Sequence, residues 1–374
     1  MSERNCNWDR QPPLCPPCQC CLRRQMLVLV AALWACDSPA WIEVAPLPGR
    51  REGIVGGVMD GKVFIVGGYD GQDNMGQLFS YSPHSNSWRT EAAMPVPRSD
   101  LAAAAINENT LLAIGGETEC SAAGITRPGI CNLTITESYD SVTGNWTTRT
   151  PLNVARRGLG IAVDSTANAV YAIGGMNCKA NCYKDDVEYL SVVERWNSTA
   201  TRWEFLPSMP TPRRDLGTAF VHGKVWVVGG CNSPHASSSC KALDAVEVFD
   251  PAKNRWASGP PLPVPLHGIA LAFTQEALYV FGGAEGGEVY KAPPPSRRVF
   301  ALKFDLVTGR PAQHWVEGPP MPVPKYGLAK GYGLVLDGMA YAIGGVDRQE
   351  KTFPCVKCIS ASVHALNLSC VLLG

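Results

Sequence analysis

Residues 62–88 read KVFIVGGYDGQDNMGQLFSYSPHSNSW, and this stretch decides the fold. A run of apolar, β-branched and aromatic residues ends in Gly67-Gly68. A second apolar run follows at 78–81, then the turn-rich SPHSNS, then Trp88. Apolar runs of about five residues bounded by glycine and turn residues are strands of a buried sheet. Paired glycines permit positive φ and close approach of a neighbouring backbone. The stretch is therefore one strand, a loop, and a hairpin whose last strand carries tryptophan.

The pattern recurs. Gly-Gly closes an apolar run at Gly67-Gly68, Gly115-Gly116, Gly174-Gly175, Gly229-Gly230, Gly282-Gly283 and Gly344-Gly345, with gaps of 48, 59, 55, 53 and 62 residues. An aromatic precedes tryptophan by seven residues in Tyr81/Trp88, Tyr139/Trp146, Trp196/Trp203 and Phe249/Trp256, and by eleven in Phe304/Trp315. From each tryptophan to the next Gly-Gly the distance is 26–29 residues, whereas from Gly-Gly to its following tryptophan it is 21–33. The insertions therefore fall after Gly-Gly.

Gly-Gly, a Tyr-Asp-type pair and a spaced tryptophan at about 50-residue period resemble Kelch repeats. The resemblance covers about residues 40–370 and implies an all-β, six-bladed Kelch β-propeller of four-stranded antiparallel blades, with strands a to d running outward from the axis. Gly-Gly ends strand b, the aromatic lies on c and tryptophan on d. The sixth Gly-Gly has no tryptophan after it, but Trp41 precedes Gly67 by 26 residues. Residues 40–45 are thus expected to supply strand d of blade six, with SVHALNLS at 362–369 as its strand c. Joining the chain ends closes the ring and removes exposed edges. The division is residues 1–39, a Cys-rich N-terminal segment, and 40–374, the propeller.

Lys+Arg and Asp+Glu both number 33, so the formal charge is zero. That balance argues against bulk electrostatic binding to nucleic acid or an anionic membrane. Near the N-terminus, Arg23-Arg24, the apolar run 26–35 and the small residues Ser38 and Ala40 follow the order of a signal peptide, and the run is too short to span a bilayer. Of 15 cysteines, ten lie beyond the first 21 residues. Cys120/Cys131, Cys178/Cys182, Cys231/Cys240 and Cys355/Cys358 fall two to a loop after Gly-Gly, where each pair would clip a long loop. Cys36 and Cys370 flank the expected closure and would staple it. Disulfides call for an oxidising compartment, and the sequons at Asn132, Asn145, Asn197 and Asn367 agree with a secreted glycoprotein. The opposing reading is a cytoplasmic chain with free or metal-bound cysteines; Cys15-Pro-Pro-Cys18 and Cys355-Val-Lys-Cys358 each have the spacing of half a zinc site.

No nucleophile elbow, HExxH, Walker loop or GxGxxG occurs, and the six histidines are scattered. No catalytic residue, metal or cofactor is assigned. Basic residues do recur in the loops joining strand d to the next strand a: Arg50, Arg51, Arg98, Arg156, Arg157, Arg213, Arg214 and Lys325, with His267 at the turn of blade five. The resemblance implies that these loops and the b–c loops share one end, where Kelch adaptors bind acidic peptides through arginines. Guanidinium pairs with carboxylate in bidentate fashion. The expected function is thus a monomeric binder of a protein segment or glycan, of acidic character, at that rim. Two other readings stay open. One is a channel-site enzyme of the sugar mutarotase or oxidase kind. The other is a substrate adaptor of a ubiquitin ligase, for which a BTB or F-box segment is not evident.

Overall fold

The computed structural model describes residues 40–122, 129–178, 187–197, 202–233, 241–285, 294–328, 334–347 and 358–372. They form six four-stranded antiparallel sheets. From strand a to d, blade one is Val55–Met59, Lys62–Val66, Leu78–Ser82 and Ser87–Thr90. Blade two is Ala102–Ala105, Thr110–Ile114, Thr136–Asp140 and Asn145–Arg149. Blade three is Gly160–Asp164, Ala169–Ile173, Val193–Asn197 and Glu204–Leu206. Blade four is Gly217–Val221, Lys224–Val228, Val246–Asp250 and Arg255–Ser258. Blade five is Ala270–Phe273, Ala277–Phe281, Val299–Lys303 and Val316–Glu317. Blade six takes Val335–Leu336, Met339–Ile343 and Val363–Asn367 from the C-terminal end and Trp41–Val44 as its strand d, with Trp41 opposite Leu366.

The hydrophobic core is divided into six main parts, each between two neighbouring blades. The interface of blades six and one is built like the rest. Ile54, Val63, Ile65, Phe79 and Tyr81 pack there against Leu334, Tyr341, Ile343, Val363 and Ala365. Because each sheet has two apolar faces and meets a neighbour on both, the ring leaves no blade half-packed.

The six repeat tryptophans, Trp41, Trp88, Trp146, Trp203, Trp256 and Trp315, carry a second closure. Each indole N–H donates to a carbonyl where strand d of the preceding blade ends: Trp41 to Pro319, Trp88 to Ala45, Trp146 to Ala92, Trp203 to Thr150, Trp256 to Pro207 and Trp315 to Pro260, all at 2.8–3.0 Å. A large apolar ring with one N–H donor is suited to this joint between sheets. In blade five the c–d ladder pairs Ala301 with Val316, while Phe304 faces Pro311 rather than Trp315. Phe304 instead meets Trp226 of blade four edge-on, with ring centroids 5.3 Å apart. The spacing of eleven is thus a longer hairpin with its aromatic displaced.

The glycine pairs are steric. Both members have positive φ in every blade. A Cβ on the first would lie 2.6–2.7 Å from a carbonyl of the following d–a loop, and the second donates its N–H to that same oxygen at 2.8–3.0 Å.

The Cys120–Cys131 clip is present, with Cα atoms 5.0 Å apart. Cys178, Cys231 and Cys358 are also disulfide-bonded. Cys182, Cys240 and Cys355 lie outside the described residues, as does Cys36 of the expected staple; Cys370 sits in the short helix Ser369–Leu372.

Candidate functional site at the axial mouth

In each blade the d–a loop pairs with the residue that follows Gly-Gly. The pairs are Glu52 with Tyr69, Ser99 with Glu117, Arg157 with Met176, Arg214 with Cys231, His267 with Ala284 and Tyr326 with Val346. The d–a and b–c loops therefore share one end of the propeller. Blades two, three and four extend it with hairpins, Glu117–Glu119 with Ile130–Asn132, Met176–Cys178 with Val187–Tyr189, and Cys231–Asn232 with Lys241–Ala242. Asn132 Nδ2 donates to Asn177 Oδ1 at 3.0 Å and so links the first two.

One residue further along each d–a loop, the backbone turns left-handed at Gly53, Asp100, Gly158, Asp215, Gly268 and Gly327. These six positions are joined blade to blade. Asp100 N donates to Gly53 O, Gly158 to Asp100, Asp215 to Gly158, Gly268 to Asp215 and Gly327 to Gly268, at 2.7–3.2 Å. A ribbon of backbone hydrogen bonds thus borders the mouth of the axial channel. Its two non-glycine members are both aspartates, a type that tolerates this conformation.

The basic residues expected at this rim divide into two groups. Arg98, Arg156, Arg213 and Lys325 are fully buried, and Arg51 is 4% exposed. Their side chains turn back into their own blades rather than toward a ligand. Arg98 pairs with Glu137, Arg156 with Glu194 and Arg213 with Glu247, each acid standing on strand c. In blade one the acid is replaced by Phe79, and the Arg51 guanidinium lies 4.9 Å from that ring. In blade six Lys325 Nζ donates to Gly344 O and Ser362 O, both at 3.1 Å, and to the hydroxyls of Ser360 and Ser362. Blade five has Leu266 at this position, since Leu266 O receives Gly230 N as Arg98 O receives Gly68 N. His267 is therefore the neighbour of the equivalent residue, not the equivalent itself, and is 5% exposed. Arg50 precedes the buried position and is exposed.

Arg157, Arg214 and His267 of the expected set stand at the loop position that borders the mouth, and the side chains of Arg157 and Arg214 are 17% and 12% exposed. Arg157 pairs with Glu117 of blade two. Arg214 lies 3.4 Å from Asp215 and is hydrogen-bonded to the Tyr189 phenol. Burial pushes the Glu117 carboxyl up; Arg157 opposes this and Asp100 adds to it. The Arg214 guanidinium is desolvated, yet Asp215, Tyr189 and Asp100 together hold it above its ordinary range. Burial raises Tyr326 to about 12, with Glu52 and Asp215 contributing. Blades one, two, three, four and six thus contribute to one electrostatically coupled cluster. Asp215, Cys231 and His267 bring potential ligand atoms within 4.8 Å of one another. The Cys231 sulfur is in a disulfide and offers no thiolate to an ion.

A family model described as the Kelch motif matches residues 50–95 and 212–263. Those two spans are blade one and blade four, each from its d–a loop past its strand d. This chain is a Kelch-repeat β-propeller. The Kelch chain is 26% identical to mouse Kelch-like protein 36 over 279 residues, 62% of its own length and 43% of the relative's. It is 24% identical to alpha-scruin of Limulus polyphemus over 320 residues, 83% of its length and 32% of the relative's. The Kelch chain thus spans less than half the length of these curated relatives. The solved structure titled "Structure of YjhT" superposes with a TM-score of 0.64 at 14% identity, covering 85% of this chain and 95% of that one, and shows the shared fold.

Lys325 makes the buried ring testable by pH. Burial lowers its ammonium from 10.5 to about 8, against the opposing charges of Asp347 and Glu43. Between about 8 and 10.5 the unfolded chain then holds more protons than the folded one. The penalty is fully present below that window and fades as pH rises through it, adding at most about 1.4 kcal/mol of stability per pH unit. Lys325→Met should lack this rise when denaturant midpoints are compared at pH 7, 8, 9 and 10. Equal slopes in both proteins would show that Lys325 does not titrate there.

Proposed function

We propose that the propeller binds a segment of a partner protein across the axial mouth, in an oxidising compartment. The observation that carries this reading is the convergence of Glu52, Asp100, Glu117, Arg157, Arg214, Asp215 and Tyr326 from different blades on one rim. The channel wall between blades three, four and five is by contrast apolar or small, lined by Leu159, Gly160, Ile161, Leu216, Gly217, Thr218, Ile269 and Leu271. A rigid β scaffold that holds polar groups of both signs on loops is how propellers present recognition surfaces. Arg157 and Arg214 supply fixed guanidinium donors; Glu117 and the aspartates supply acceptors. The preference for an acidic partner drawn from the sequence rested largely on cations that are buried, so the mixed-sign mouth supports a protein segment without that preference.

The cysteines support the compartment in this reading. Disulfides at Cys120–Cys131, Cys178, Cys231 and Cys358 persist where thiols are oxidised. No helix among the described residues is long and apolar enough to cross a membrane.

Panning a random peptide display library on the immobilised full chain tests the binding reading. Enriched peptides are expected to lose at least tenfold affinity on Glu117→Gln/Arg157→Ala and to keep it on Arg310→Ala, which changes a c–d turn of blade five. Peptides that bind both variants alike would place recognition elsewhere. Steady turnover of a sugar with no peptide enrichment would favour the channel-site enzyme.

A further inference from the structure

We infer that Asn145 is a site of N-linked glycosylation, and that it lies at the end of the propeller opposite the mouth. The four sequons differ sharply in what the fold does with them. Asn132 Nδ2 donates to Asn177 Oδ1 and Cys178 Sγ, both at 3.0 Å, and so joins two hairpins of the mouth. A glycan on that nitrogen would force those hairpins apart. Asn367 Oδ1 accepts from the backbone N–H and the hydroxyl of Ser369, at 3.1 and 2.7 Å, at the start of the C-terminal helix. The residues after Asn197 lie outside the described residues.

Asn145 is placed differently. It opens strand d of blade two, the outermost strand, in a segment reading Asn-Trp-Thr. Successive side chains of a strand alternate between faces. Asn145 and Thr147 therefore share one face and are both exposed, while Trp146 turns to the other and bonds Ala92 O of blade one. The acceptor amide and the hydroxyl that a transferase reads stand together in solvent, and the residue between them secures the strand.

The adjoining c–d turn is rigid. Asp140 Oδ1 accepts from Val142 N at 2.9 Å and from Thr143 N at 2.8 Å. That turn leaves Val142 75% exposed. A glycan on the neighbouring Asn145 would cover this apolar side chain. Strand c descends from the mouth, so the c–d turn emerges at the far end and a glycan there leaves the mouth clear.

The step is a transfer from a lipid-linked oligosaccharide diphosphate, which the oxidising compartment must supply. Asn145 Nδ2 forms a bond to the anomeric carbon, the bond from that carbon to the diphosphate oxygen breaks, and the amide proton passes to a base of the transferase. The lipid diphosphate departs, and no oxidation state changes.

The full chain, expressed in a eukaryotic cell with a secretory pathway, should show a mass shift that a peptide amidase specific for N-glycans removes. Both Asn145→Gln and Thr147→Ala should lose that shift, whereas Asn132→Gln should keep it. A shift that persists in Asn145→Gln, or none in the wild-type chain from medium or cell extract, would overturn the assignment. An oxidised chain without glycan would do so while leaving the compartment reading intact.

Discussion

Glu137→Ala should destabilise the propeller by about 3–5 kcal/mol, the range for stranding one partner of a buried ion pair. Arg98 is fully buried, and its guanidinium meets Glu137 at 2.5 Å, with further donation to Val96 O and Ala113 O at 3.2 and 3.4 Å. Removing the acid leaves an uncompensated cation that water cannot reach. Burial already lowers the Arg98 guanidinium, and Glu137 is the group that offsets this. Blade five supplies the control from within the same chain. It places Leu266 and Phe300 where blade two has Arg98 and Glu137, since Phe300 faces Val280 as Glu137 faces Ala113. The double variant Arg98→Leu/Glu137→Phe should therefore recover most of the loss, because apolar replacements of buried pairs are often neutral or stabilising. Urea unfolding of the three proteins decides it. A double variant no better than Glu137→Ala would mean that blade two needs the charge pair for more than packing.

Removing strand d of blade six should have a still larger effect. Trp41→Ala alone is expected to lose about 1–3 kcal/mol, below the range for deleting a fully buried indole, because the ring is half-buried. Trp41 packs edge-on against Phe281 with centroids 6.2 Å apart and donates to Pro319 O at 3.0 Å. Deleting residues 40–45 also removes the ladder to Val363–Asn367 and the carbonyl of Ala45 that receives the Trp88 indole. It exposes a sheet edge ready to pair with other chains. Against a total stability of about 5–15 kcal/mol, the deletion should abolish cooperative unfolding and produce aggregates in size-exclusion chromatography. A monomeric deletion variant with an unchanged thermal midpoint would show that the ring holds without its N-terminal strand.

These two features differ in how well they could be read from the sequence. The closure was legible because propeller geometry fixes the distance from tryptophan to the next Gly-Gly, and Trp41 obeys it. The rim was only half legible. Arg156 and Arg157 are adjacent in the chain, as are Arg213 and Arg214, yet the first of each pair is buried in its blade and the second borders the mouth. Adjacent extended residues face opposite ways, and nothing local says which faces in. The distinguishing signal lies on strand c. Glutamate stands two residues before the aromatic at Glu137, Glu194 and Glu247, in the three blades whose buried cation is Arg98, Arg156 or Arg213. Blade one has Phe79 there instead, and Arg51 takes a π partner. Comparing repeats for paired changes, rather than for shared residues, exposes the interior network. The coupling of Glu117 and Tyr189 with the loop arginines had no such signal: Tyr189 belongs to an insertion of unequal length, and the residue after Gly-Gly is acidic only at Glu117.

The ribbon of left-handed residues from Gly53 to Gly327 has a mechanical consequence. Each peptide in it is bonded to a neighbouring blade, so no single blade can tilt outward without breaking a bond to its neighbour. The arc of the mouth from blade one round to blade six is therefore held at fixed spacing, and along it a bound molecule meets a gauge rather than a jaw. Discrimination by width is set when the ring closes, and any adaptive fit falls to the clipped hairpins above it.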